Sequence, residues 1–264
     1  MFETLFKKPL LGKNSAFTQH PLTVDVHAHI LPHLDDGASN VDQSIAIIRG
    51  LKALGYQKII ATPHVMSGFY NNSYEEILQS LSLIRSILKR NNIDIELEAS
   101  AEYYLEDNLF RSIERGEVLP FGSRKKYLLF EASFIAKPTY LIESARRIQE
   151  AGYIPVLAHP ERYISLNNID TLTRLLFNGI LFQVNIGSLT GYYSKQAQEI
   201  AETLVKKNMV AFFGSNCHNE SQLKSIKSAF ELPYFRYAAK ENVLNNSLME
   251  SETQYWPTKL YARI

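Results

Sequence analysis

Five of the seven histidines sit in or beside short, strand-like polar segments, and the densest of these is Val24-Asp25-Val26-His27-Ala28-His29, followed closely by Asp35-Asp36-Gly37. Strand alternation would turn His27 and His29 to one side with Asp25 behind them, and Val24, Val26 and Ala28 to the other. Two imidazoles held a few ångströms apart on a rigid strand suit one divalent cation. An HxH pair is equally compatible with two satisfied structural histidines, so the case rests on what the rest of the chain supplies. It supplies His64, Glu102, Glu131, His159, Asn216 and His218, each at or near the end of a strand signal. Carboxylates buried together without cations raise one another's pKa, and divalent metals remove that cost. The set therefore reads as a metal site.

The elements that must position these residues alternate along the chain. Leu22–Ile30, Lys58–Thr62, Asp94–Tyr104, Tyr127–Ser133, Ile154–His159, Ile180–Asn185 and Met209–His218 read as seven strands. Helices read over the segment opened by Asn40 and Gln43 and closed by Gly55, and over one opened by the Ser73-x-x-Glu76 capping box. Others cover Pro138–Ala151, Ile169–Asn178, Ser194–Lys207 and Glu220–Phe230. Such alternation predicts parallel strands with crossover helices. Polar residues gathered at strand C-termini favour a distorted seven-stranded (β/α) barrel over a doubly wound sheet, because barrels carry their sites there. Residues 1–21 read as an N-terminal extension with one short amphipathic turn at Phe2, Leu5 and Phe6. Residues 22–264 read as a single domain whose tail aromatics, Tyr255, Trp256 and Tyr261, cover it.

Bulk properties exclude several classes. A net charge of +1 with no basic stripe argues against nucleic acid as a partner. No apolar run approaches the roughly 18–20 residues of a membrane span, so no membrane insertion is expected. No secretory signal is evident, and the single cysteine, Cys217, fits a reducing, cytoplasmic setting. Neither a GxGxxG nor a GxxxxGK[ST] loop is present. A cysteine-dependent phosphatase needs an arginine six positions after its thiolate, and that position holds Leu223.

The run VDVHAHILPHLDDG, then ATPH, AEYY, LLFEAS, LAHPERY and FGSNCHN, resembles the polymerase and histidinol phosphatase (PHP) superfamily from about Leu22 to Asn219. More narrowly it is similar to the bacterial PHP-type protein-tyrosine phosphatases of capsule and exopolysaccharide synthesis. The resemblance implies a distorted seven-stranded TIM-like barrel with about three divalent metals, manganese first, with iron, zinc or magnesium as alternatives. It implies one metal on His27 and His29, with Glu102 bridging to a second that also takes Glu131 and His159. Asp36, His64 and His218 would hold a third, Asp36 rather than Asp35 being the matched residue. Arg162 in HPERY would grip substrate phosphate, the alternative being a surface ion pair with Glu161. The chain departs from the family at Asn216, where relatives carry Asp. An amide oxygen ligates without adding charge, so weak or lost activity is the expectation that competes with catalysis.

The implied reaction is metal-dependent hydrolysis of phosphotyrosine on a protein, the resemblance suggesting the cytoplasmic tail of a membrane tyrosine kinase as substrate. His218, His64 or a nearby carboxylate would protonate the leaving phenolate. A histidinol-phosphate-like phosphatase and an amidohydrolase are the rival enzymes, and a degenerate metal-binding regulator is the non-enzyme reading. Oligomeric state is not legible in the sequence.

Overall fold

The computed structural model describes residues 22–241 and 243–249. The N-terminal extension and the tail aromatics expected to cover the domain lie outside these residues. Within them the fold is α/β, with nine strand segments: β1 (Val24–Ala28), β2 (Lys58–Ala61), β3 (His64–Val65), β4 (Glu96–Ala99), β5 (Glu102–Tyr104), β6 (Tyr127–Glu131), β7 (Ile154–Ala158), β8 (Leu181–Asn185) and β9 (Phe212–Gly214). They form a three-stranded sheet, β1-β2-β4, and a six-stranded sheet, β3-β5-β6-β7-β8-β9. Every pairing within these sheets is parallel. Helices α1 (Val41–Ala53), α2 (Tyr74–Arg90), α3 (Asp107–Arg115), α4 (Pro138–Glu150), α5 (Ile169–Phe177), α6 (Lys195–Lys206), α7 (Leu223–Phe230) and α8 (Pro233–Glu241) supply the crossovers and the C-terminal cover.

The difference from seven strands has a local cause. A further strand, β3, follows the expected Lys58–Thr62 after a break at Thr62-Pro63, and the expected strand Asp94–Tyr104 breaks at Ser100-Ala101, so that the segments on either side of each break join different sheets. Proline cannot donate to a ladder, which accounts for the first break. The last strand is shorter than expected because Asn216 adopts a left-handed backbone, φ 49°. Period-two alternation, which in a regular strand through His218 would put Asn216 and His218 on one face, therefore does not hold here. The chain beyond β9 instead pairs with β1: Asn216 N–H donates to His27 O at 2.7 Å and His29 N–H to Cys217 O at 2.9 Å. These bonds join the edge of one sheet to the last strand of the other, so the strands curl around a shared interior.

Two apolar clusters follow. Val24, Val26, Ile60, Leu129, Val156 and Phe212 meet Phe121 and Leu248 with no residue of α1–α8 among them, which places them inside the curl. A larger cluster packs the outer strand faces against the helices. Here β1 corrects the expected alternation. Its register shifts between Asp25 and Ala28, so Val24 and Val26 face the interior while Ala28 joins the outer cluster. Asp25 accepts from Ser215 N–H and His27 N–H and takes no part in the histidine cluster.

Helix ends behave largely as read. Ser73 and Glu76 form a full capping box. Asn40 caps α1 through Gln43 N–H, but the Gln43 side chain reaches back to Ser39 rather than Asn40. Helices α3 and α8 were not anticipated.

The floor of the fold is closed by a 3-10 turn, Asn245–Met249. Asn245 is fully buried, donates to Val24 O at 3.0 Å and Phe213 O at 2.7 Å, and accepts from Phe213 N–H at 2.9 Å. It thus ties β1 to β9. Lys58 extends the same floor, contacting Glu96, Glu98 and Leu248 O. Truncating Asn245 leaves buried backbone groups unpaired, at about 1–3 kcal/mol each. Asn245→Ala is expected to lower unfolding free energy by roughly 3 kcal/mol in urea titration; a loss under about 0.5 kcal/mol would contradict this role for the floor.

Candidate metal centre

Parallel strands deliver their C-terminal ends to one rim, and the candidate ligands leave from that rim. His27 is the fourth residue of β1, His64 opens β3, Glu102 opens β5, Glu131 closes β6, and His159 follows β7. Every histidine and carboxylate among the candidate ligands falls into at least one of three sets with ligand atoms within 4.8 Å of one another. These sets are His27, Glu102 and His159; His64, Glu102 and Glu131; and His29, Asp36, His64 and His218. The implied neighbours also lie together: His27 and His29 Nε2 are 3.2 and 3.4 Å from Glu102, and His159 is 2.8 Å from Glu102 and 3.9 Å from Glu131. Asp36, His64 and His218 share one set, while His159 also sits with His27 and His29 with the Asp36 set.

The proton positions show why a cation fits. His27 Nδ1 lies 2.7 Å from Gln183 Oε1, and His29 Nδ1 lies 2.6 Å from Asp35 Oδ2. Both partners are acceptors, so each ring carries its proton on Nδ1. The two Nε2 atoms then face one another at 3.1 Å, lone pair against lone pair. A cation beside them, or a second proton on one of the rings, relieves that contact. The chemistry of the donor set, imidazole nitrogen and carboxylate oxygen, suits a divalent metal.

Electrostatics run the same way. Burial alone would lower His29, but the Asp35 carboxylate overrides it and carries the ring up to about 10. Burial would likewise raise Glu102, yet the imidazoles of His27, His64 and His159 hold its carboxyl well below the usual range. Asp35 also accepts from Gly37 N–H and His64 N–H, so it orients His29 and the loop. Asp36 faces His218 Nε2 at 3.5 Å and His64 Nε2 at 3.7 Å. Gly37 is required by space: a Cβ there would lie 2.1 Å from His29 O.

Above the cluster opens a cavity of about 380 Å³, lined among others by Glu131, Phe134, Arg162, Tyr193, Asn216 and His218. The Arg162 guanidinium carbon lies 4.6 Å from the Tyr193 ring centre and 5.0 Å from that of Phe134. Among the described residues no ion pair joins it to Glu161, whose Oε1 accepts from Asn185 N–H and Ser188. Asn216 does reach the cavity, but through its left-handed turn. Its Nδ2 donates to the Tyr193 hydroxyl at 3.2 Å, and its Oδ1 is buried without a partner. Cys217 is fully buried, and burial pushes its thiol up to about 12, which removes it as a nucleophile.

The sequence reading missed Gln183, Phe134 and Tyr193. Gln183 and Asn185 carried a signal, two polar residues at alternate positions of an otherwise apolar strand. Phe134 and Tyr193 carried none.

The fold and site define a parallel α/β protein with a histidine–carboxylate cluster at its strand C-termini that could hold metal ions. Residues 23–240 match the family described as capsular polysaccharide synthesis, CpsB/CapC, and the chain belongs to that family. It is 31% identical over 234 residues to the tyrosine-protein phosphatase YwqE of Bacillus subtilis, covering 84% of this chain and 92% of that protein. It is 26% identical to the tyrosine-protein phosphatase CpsB of Streptococcus pneumoniae, covering 83% of this chain and 92% of that one. Among solved structures, one from work on YwqE and CpsB, described as unique metal-dependent tyrosine phosphatases, superposes with a TM-score of 0.74 at 30% identity. That match covers 83% of this chain and 92% of the other. An amidohydrolase from Mycoplasma synoviae shares the fold, with a TM-score of 0.53 at 12% identity, covering 86% of each chain.

A ligand that binds only the folded state at about a hundred times its Kd stabilises by roughly 2.7 kcal/mol. Adding manganese to chelator-stripped protein is expected to raise Tm by roughly 5–10 °C. Identical melts with manganese, iron, zinc and chelator would contradict the metal reading.

Proposed function

We propose that the chain hydrolyses phosphotyrosine on protein substrates, using divalent metals held by the histidine–carboxylate cluster. The observation that carries this reading is the facing pair of imidazole Nε2 atoms, His27 and His29, beside a carboxylate shared with His64 and His159. The naming of the relatives as tyrosine-protein phosphatases supports the substrate class. We take the nine strand segments as seven barrel staves, two of them interrupted, closed by the pairing of β1 with the chain after β9. The ligands are His27, His29, Asp36, Glu102, Glu131, His64, His159 and His218, with Asn216 Oδ1 available beside them, for about three ions, manganese foremost.

When bound, such ions make water more acidic and offset the charge on phosphoryl oxygens. The chain's own residues do the rest. Arg162, seated between the Phe134 and Tyr193 faces, offers a planar fork to two phosphate oxygens. Those same rings suit the flat phenyl group of a phosphotyrosine. His64 and His218 line the cavity, and the one of them that holds no ion can pass a proton to the departing phenolate, which needs less help than an alkoxide. The family resemblance supports the tyrosine-rich cytoplasmic tail of a membrane kinase as partner, with the enzyme in the cytoplasm.

The unpartnered Asn216 Oδ1 favours a second reading, a family member that binds metal but turns over slowly. Manganese-loaded wild type and Asn216→Asp, assayed on phosphotyrosyl peptide, phosphoseryl peptide and histidinol phosphate, separate the two. Wild type is expected to favour the phosphotyrosyl peptide by about 10²-fold in kcat/KM, with Asn216→Asp within about tenfold of it. Turnover that appears only in Asn216→Asp would establish the second reading. Preference for histidinol phosphate would overturn the substrate assignment.

A further inference from the structure

His27 and His29 have different supports. His29 leans on a carboxylate, Asp35, from its own loop. His27 leans on an amide, Gln183, from β8, which lies 156 positions away in the chain. Gln183 is fully buried and held from three sides. Its Nε2 donates to Asn185 Oδ1 at 3.0 Å, and its backbone oxygen accepts from His159 N–H at 2.7 Å. Its Oε1 receives His159 N–H a second time at 3.4 Å. A backbone N–H can only donate, so this longer contact agrees with oxygen at that end of the amide, as does the donation from Nε2 to Asn185 Oδ1 at the other. The oxygen end is therefore the one that meets His27 Nδ1.

Space has been cleared for the contact. A Cβ on Gly214 would lie 2.5 Å from His27 Cβ and 2.6 Å from Gln183 Nε2. The strand next to β8 thus lacks a side chain where His27 and Gln183 meet. Gln183 also sits between two ligand-type histidines, His27 through its side chain and His159 through its backbone. An uncharged acceptor here has a further consequence. It keeps the proton on Nδ1 without adding a further carboxylate to a cluster that already holds Glu102, Glu131, Asp35 and Asp36.

We infer that Gln183 is a positioning residue that locks His27 in the Nδ1–H tautomer, so that Nε2 is presented to a divalent cation. This rests on the reading of the cluster as a metal site. Its role is to act through His27, and it touches neither substrate nor reacting atoms.

The test uses Gln183→Leu, which removes the acceptor, and Gln183→Glu, which restores one. Two readouts are taken on the full chain. Histidine ring nitrogen NMR on chelator-stripped protein reports the His27 tautomer, and manganese titration reports affinity and the number of ions bound. Wild type and Gln183→Glu are expected to show the Nδ1–H form. Gln183→Leu is expected to lose it and to bind the weakest-held ion about 10–100-fold less tightly, with Gln183→Glu within about threefold of wild type. A Gln183→Leu protein with wild-type tautomer and manganese binding would overturn the inference and leave the metal reading standing. A wild type that takes up no manganese would overturn both. If Gln183→Leu fails to fold, the tautomer in wild type decides alone: an Nε2–H form of His27 refutes the role.

Discussion

A single buried carboxylate organises this protein. Glu102 has no exposure, and its oxygens lie 3.2 Å from His27 Nε2, 3.4 Å from His29 Nε2, 3.2 Å from His64 Nδ1 and 2.8 Å from His159 Nε2. An isolated buried carboxylate is prohibitively expensive, and pairing it with four imidazoles that compete for the same charge is only a partial remedy. The surrounding fold is arranged so that these groups arrive from different strands. That arrangement explains why the rim is polar while the interior below it is packed with Val24, Val26, Ile60, Leu129 and Phe212.

The irregularities of the sheet serve the same convergence. The register shift in β1 releases His27 from strict alternation. The break at Ser100-Ala101 separates Glu96 and Glu98, which pair with Lys58 at the floor, from Glu102 at the rim. Gly37 and Gly214 mark where backbone presses against His29 and His27, and a methyl group at either place would collide with the cluster. The left-handed residues His159 and Asn216 turn the chain sharply at the ends of β7 and β9. Strain of this kind persists where surrounding contacts over-determine it, commonly at functional sites.

Much of this was legible in the sequence because ligand identity is local information. His27, His29, His64, Glu102, Glu131, His159 and His218 stood out by type and by position at strand ends, and they do converge. What was not legible depended on three-dimensional closeness. That one carboxylate, Glu102, would touch four histidines at once is set by strand register and was not legible. The split of two strands at Thr62-Pro63 and Ser100-Ala101 left no alternation signal. Asn216 and His218 reach one cavity for a reason that period-two reading could not supply. Phe134 and Tyr193 look like ordinary loop aromatics until Arg162 is found between them.

The central claim is that Glu102 is the shared anchor of a metal-dependent phosphatase site, and its direct test is the metal content of wild type against Glu102→Gln, read together with phosphotyrosyl-peptide turnover. The account predicts that wild type retains more than one divalent ion per chain after gel filtration. Glu102→Gln should lose bound metal and fall by about 10³-fold or more in kcat/KM while still folding. A Glu102→Gln protein that keeps the full metal complement and wild-type turnover would contradict it.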